Sequence, residues 1–137
     1  MPREEHDRRL SDVRRLADIF NVRLIEPEYD NEAFLKTVKD LENEPEKGKR
    51  CELCIEMRLR KTAEAAKGFD YFTTTLTVSP HKDFNIINRV ISKIDPKHGL
   101  AEDFKKADGY KRSIELSKQY GFYRQNYCGC DFIRSAP

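Results

Sequence analysis

The sequence predicts an α/β chain built on a mainly parallel sheet. Three observations carry this: apolar residues recur at helical spacing in four segments, stretches rich in β-branched and aromatic residues lie between them, and proline, glycine and aspartate mark the joins. Leu10, Val13, Leu16, Ala17 and Phe20 form one stripe, predicting an amphipathic helix over Glu4–Phe20 with a charged outer face. "VRLIEP" then reads as a strand ended by Pro27. Asp30 can cap a second helix striped by Phe34, Leu35, Val38 and Leu41, and "ENEPEKGKR" after it is polar enough to be an exposed loop.

Ile55, Leu59, Thr62, Ala63 and Ala66 repeat at three and four, so Glu52–Lys67 is expected to be helical, with Gly68 as its stop. Cys51 and Cys54 fall in its first turn. "FDYFTTTLTV" predicts a strand over Asp70–Val78 that ends at "SPHK", where Ser79 can cap a helix and Pro80 can take its first position. Phe84, Ile87, Ile91 and Ile94 stripe that helix, "DPKHG" turns the chain, "LAEDF" is a short last strand, and Tyr110–Tyr120 is a final helix before Gly121. Two good strands and a weak one make a small sheet, and a parallel sheet needs both faces covered. The pattern therefore implies missing strands, a partner chain or a second copy.

At 137 residues the chain is the length of one domain, read here as 1–137, and its 36% charged and 38% hydrophobic residues are those of a globular protein. No apolar run spans a bilayer, and "MPREEHDRRL" has no apolar stretch behind it that would make a secretory signal. A cytoplasmic setting with no membrane partner is expected. Residues 1–47 hold 9 Lys/Arg against 13 Asp/Glu, whereas residues 48–137 hold 17 against 11. Within the basic part, Lys105–Arg124 interleaves six basic residues with four aromatics. That composition suits phosphate contacts and base stacking, and it equally suits a solvated helix face over core tyrosines.

Four cysteines in two close pairs, Cys51/Cys54 in "RCELC" and Cys128/Cys130 in "NYCGCDF", read as metal ligands or redox thiols in a reducing compartment. Residues at i and i+2 of an extended stretch share a face, so Cys128 and Cys130 can aim at one centre. Cys51 and Cys54, near a helix N-terminus and beside Arg50 and Arg58, are expected to favour the thiolate. Spacing alone leaves a tetrahedral zinc site, an iron-sulfur cluster and unliganded thiols all open.

The segments "RCELCIEMRLRKTAEAAKGFDYFTTTLTVSPHKDFNII" and "DFKKADGYKRSIELSKQYGFYRQNYCGCDF" resemble the QueH type of epoxyqueuosine reductase, and "HDRRLSDVRRLADIFNVRLIEPEYDNEAF" is similar to what precedes them there. The resemblance implies a Rossmann-like sheet of the nucleotide-hydrolase-related (HUP, adenine nucleotide alpha hydrolase-like) kind with flanking helices. It also implies an oxidoreductase that reduces epoxyqueuosine at the wobble position of a tRNA anticodon to queuosine, with a [4Fe-4S] cluster and an additional iron. Under it Cys51, Cys54, Cys128 and Cys130 would ligate iron, and Lys82 could orient substrate or move a proton. Arg58, Lys111, Arg112 and Arg124 would hold phosphates, with Tyr110, Tyr123 and Tyr127 available to stack on bases. Chains of that family open with a strand bearing a "CCAPC"-like motif and a second strand, and neither precedes the first helix here. The resemblance thus implies missing N-terminal strands, part of the iron ligand set supplied from elsewhere, weak activity of this chain alone, and a companion polypeptide or homodimer. The rival expectation is a non-catalytic tRNA-binding module with a structural zinc held by the four cysteines.

Overall fold

The computed structural model of the chain describes residues 1–132. The first apolar stripe winds into α1, Arg3–Phe20, whose Glu4 and Glu5 sit at the positive end of the helix dipole. Asn21 closes it in a left-handed conformation at φ 49°. Asp30 caps α2, Asn31–Thr37, by accepting the backbone N–H of Ala33 at 2.9 Å. The third helix, α3, covers Lys49–Ala65 and starts earlier than its apolar stripe does, so Cys51 lies in the first turn and Cys54 in the second.

The core is where α3 meets α4, Phe84–Ile94. Ile55 and Leu59 from α3 pack on Ile87, Val90 and Ile91 from α4, and Leu76, Ile86, Ile94 and Ala101 close the edges. Polar pairs stitch the same two helices outside this contact: Lys93 Nζ donates to Glu56 at 3.0 Å, and Arg89 pairs with Glu52. Asp83 is the cap of α4, accepting from the N–H of Asn85 at 2.8 Å. Ser79, expected in that role, instead accepts from the N–H of His81 in the turn before it. The last helix, α5, runs Gly109–Tyr120 and ends at Gly121 with φ 65°.

The parallel sheet and its Rossmann-like architecture are not formed by the described residues. Their only β pairing is one isolated parallel bridge, Phe72 to Gly99, held by Phe72 N–H to the His98 carbonyl (3.0 Å) and Leu100 N–H to the Phe72 carbonyl (2.8 Å). The threonine run that suggested a strand curls into a 3-10 turn over Thr75–Val78. Its side chains satisfy the backbone locally: Thr74 Oγ1 accepts from Leu76 N–H at 3.2 Å, while Thr77 Oγ1 lies 3.4 Å from the Thr74 carbonyl and also reaches the distant Glu102 carbonyl at 2.7 Å. Such bonds compete with a ladder. Residues 22–27 lie outside any helix or strand, with Val22 and Ile25 about half exposed (54% and 49%). A strand needs a neighbour to satisfy its N–H and C=O groups, and no described segment pairs with this one. On α1 only Ala17 is buried, and Val13, Leu16, Ile19 and Phe20 remain exposed.

The carboxylate of Glu56 joins both helices of the core. Hydrogen bonds from Arg60 and then Lys93 hold its carboxyl below the ordinary range. A depressed carboxyl pKa contributes stability above the unfolded-state value, and that contribution is lost as pH falls through the folded-state value. Glu56→Gln should therefore lower stability at pH 7 by about 0.5 to 1 kcal/mol and flatten the acid limb of the melting temperature between roughly pH 5 and 3. Thermal melts of both proteins across that range check this; parallel acid limbs would assign Glu56 no such role.

Candidate metal and nucleic-acid site

A cleft of about 960 Å³ opens beside the core, and all four cysteines line it. Two come from the start of α3, and two from the segment that follows α5. The walls add Arg58 from α3, Ser79, His81 and Lys82 from the turn before α4, Tyr110 from α5, and Arg124 and Tyr127 beyond it. Lys111 and Arg112 are outside the lining; they sit in the first turns of α5, where Arg112 is exposed and faces Glu115 at 3.7 Å.

Cys51 makes the first sulfur contact. The N–H of Lys47 donates to its Sγ at 3.3 Å, a bond that the loop before α3 delivers because Gly48 starts the helix in extended geometry. Its thiol is nevertheless pushed up: burial is the largest cause, the Lys47 bond and the positive charges of Lys82 and Arg50 oppose it, and Cys128 adds to the rise. The expected thiolate preference is thus reversed at Cys51, because desolvation outweighs the Lys47 N–H and the nearby positive charges. The same set of causes puts Cys128 and Lys82 within electrostatic reach of Cys51. Among the described residues, no three His, Cys, Asp or Glu side chains stand close enough together to hold a metal ion. The thiol pairs share a cleft without being closed on a common point.

Arginines do the docking. Arg9 Nη1 donates to the Cys128 carbonyl at 3.2 Å and Nη2 to the Tyr127 carbonyl at 3.1 Å, with Glu5 holding the guanidinium at 2.6 Å. Arg50, 1% exposed, donates to the carbonyls of Leu41 (3.0 Å) and Glu42 (2.7 Å) and lies 5.6 Å from the centre of the Phe132 ring. Its Nε is buried without a hydrogen-bond partner among the described residues. The sequence marked Arg50 only as a positive charge beside Cys51 and Arg9 only as part of the charged face of α1; nothing local in it signals the carbonyls that either one meets. The tyrosines expected to stack on bases already carry guanidinium groups: Arg8 lies 3.6 Å over Tyr123, Arg9 5.5 Å over Tyr127 and Arg124 5.9 Å over Tyr110. Arg124 also donates to Ser117 Oγ at 3.0 Å and to the Ser113 carbonyl at 3.2 Å. Lys82 occupies the turn before α4 rather than a strand end, and its N–H bonds the Ser79 carbonyl at 3.2 Å.

The family model described as epoxyqueuosine reductase QueH matches residues 1–136. The epoxyqueuosine reductase QueH of Streptococcus pyogenes serotype M1 is 41% identical over 140 residues, 94% of this chain and 55% of that protein. That of Staphylococcus epidermidis is 42% identical over 96% of this chain and 60% of its own length. The Thermotoga maritima protein is 37% identical over 96% of this chain and 72% of its own length. The chain thus spans little more than half the length of the first two of these relatives. No helix among the described residues is long and apolar enough to cross a membrane.

Because the Lys82 ammonium favours ionisation of Cys51, Lys82→Gln should raise the Cys51 thiol further and slow its alkylation by about two- to threefold at pH 8. Site-resolved mass spectrometry after timed iodoacetamide treatment measures this; an unchanged Cys51 rate would separate Lys82 from the thiol.

Proposed function

The chain belongs to the epoxyqueuosine reductase QueH family, and from that premise we propose that its cleft is the site where the epoxide of epoxyqueuosine, carried at the wobble position of a tRNA anticodon, is reduced to queuosine. One observation supports this above the others: two thiol pairs more than seventy residues apart in sequence face one cleft that also holds Lys82, Tyr110 and Arg124.

The donor chemistry fits a [4Fe-4S] cluster. Cys51, Cys54, Cys128 and Cys130 are four soft sulfur ligands in two chelating pairs, Lys47 already offers an N–H to one sulfur, and Arg50, which lines the same cleft, has a buried Nε–H with no acceptor among the described residues. All four thiols are used by one such centre, so a second iron would draw its ligands from elsewhere. Bound there, a cluster supplies electron transfer.

Removing an epoxide oxygen as water leaves a carbon-carbon double bond and takes two electrons, which an external reductant must supply, and two protons, of which solvent supplies the second. The ring opens with negative charge growing on oxygen, so a positive group and a proton source are needed at that atom. Lys82 is the group in this reading: its ammonium stabilises the developing alkoxide and then gives up a proton to it. Arg58 and Arg124 sit on the cleft walls where anticodon-loop phosphates would be held, and Lys111 and Arg112 extend the positive surface along α5. Tyr110 and Tyr127 offer ring surface to the bases, in competition with the arginines that now cover them.

Metal content and nucleoside mass test the reading together. Protein reconstituted anaerobically with iron and sulfide should show a broad visible absorption bleached by dithionite, and Cys51→Ser and Cys128→Ser should lower iron content to a similar extent. Either variant should also abolish any loss of oxygen from epoxyqueuosine in tRNA, read by mass spectrometry of the digested nucleosides. Colourless protein with one zinc per chain, or iron content unchanged by loss of either pair, would overturn it.

A further inference from the structure

The segment that carries Cys128 and Cys130 has no regular structure to hold it. Residues 122–130 belong to no helix or strand, and a flexible stretch cannot present two sulfurs in a fixed relation to two others without paying the entropy of ordering them. What orders it is on α1. Arg9 spans two successive carbonyls, Tyr127 and Cys128, with its two terminal nitrogens, and its Nε–H donates to Glu5 at 2.7 Å. Glu5 in turn lies 3.3 Å from the hydroxyl of Tyr123, and Asp12 accepts the N–H of Tyr123 at 2.6 Å. The next residue is shaped to the clamp: Gly129 sits at φ 89°, and a Cβ there would lie 2.6 Å from Met1 Cε, 3.0 Å from Arg9 Nη1 and 3.3 Å from its Cζ. Glycine in "CGC" therefore permits both the left-handed backbone and the close seat of the guanidinium.

We propose that Arg9, held by Glu5, is a positioning residue that fixes the backbone of Tyr127–Gly129 and so sets how Cys128 and Cys130 face the cleft. This rests on the reading of those thiols as metal ligands, but the clamp can be judged without any metal. A guanidinium fork suits two adjacent carbonyls because its donors are planar and fixed, and an ammonium cannot span them in that way. Groups that orient ligands without touching the metal are worth about 10- to 100-fold in metal affinity.

The test compares wild type, Arg9→Ala and Arg9→Lys in the full chain. Arg9→Lys keeps the stem, the charge and a pairing with Glu5, so it carries the test should the alanine variant not fold. In the metal-free protein, timed alkylation resolved by residue should show Cys128 and Cys130 reacting several-fold faster in both variants while Cys51 and Cys54 keep their wild-type rates. In a cadmium titration followed by the sulfur-to-metal charge-transfer absorption, affinity should fall by about 10- to 100-fold. Wild-type labelling at Cys128 and Cys130, or an increase spread evenly over all four thiols in a folded variant, would overturn the clamp. Wild-type protein that binds no cadmium would instead overturn the metal reading, and the labelling pattern would still decide the role of Arg9.

Discussion

Cationic side chains bonded to loop carbonyls hold together what a sheet does not. Arg9 takes the carbonyls of Tyr127 and Cys128, Arg15 that of Tyr120, Arg50 those of Leu41 and Glu42, Arg124 that of Ser113, and Lys105 that of Thr77. Apart from Ser113, which lies inside α5, each of these carbonyls belongs to a loop or a helix end, where the backbone has no ladder to satisfy it. Hydrogen bonds to charged groups are stronger than neutral ones, roughly 1.5 to 3 kcal/mol each. Bonds of this kind can order loops over a core in which five buried apolar residues from α3 and α4 do most of the packing.

The site inherits this arrangement. The α3–α4 contact places Cys51 and Cys54 on a rigid element, because Ile55 and Leu59 on the same helix are locked into the core. Cys128 and Cys130 arrive on irregular chain and depend on α1 for their place. Arg50 adds a second tie: it grips the loop before α3 from the residue adjoining Cys51, and it faces Phe132, whose ring lies 6.4 Å from that of Phe34 in α2. Both thiol pairs are therefore adjoined by an arginine that holds backbone, one from within its own helix and one from across the fold.

Much of this was legible in advance, and the misses have physical causes. Spacing of three and four found four of the five α-helices among the described residues, since an apolar stripe is a local property of the chain; α1 and α5 end where expected. The strands failed because β-branched composition reports a local preference, whereas a sheet needs a partner segment. At Thr74 and Thr77 the side-chain hydroxyls offered the backbone a local alternative. The cap of α4 was misplaced by four residues because Ser79 and Asp83 are both competent acceptors, and only the turn between them selects Asp83. The cysteines were plain from spacing. Arg9 and Arg50 were not, because a charged residue on a charged helix reads as solvent-facing until the carbonyl it meets, more than a hundred residues away for Arg9, is known.

The central claim is that four thiols from two distant places in the chain form one sulfur-ligated centre. X-ray absorption at the iron edge, on protein reconstituted anaerobically with iron and sulfide, addresses it most directly. A first shell of sulfur alone with iron-iron scattering behind it is the predicted result, and both features should collapse when either thiol pair is replaced by serine. A shell dominated by oxygen or nitrogen, without iron-iron scattering, would contradict the account.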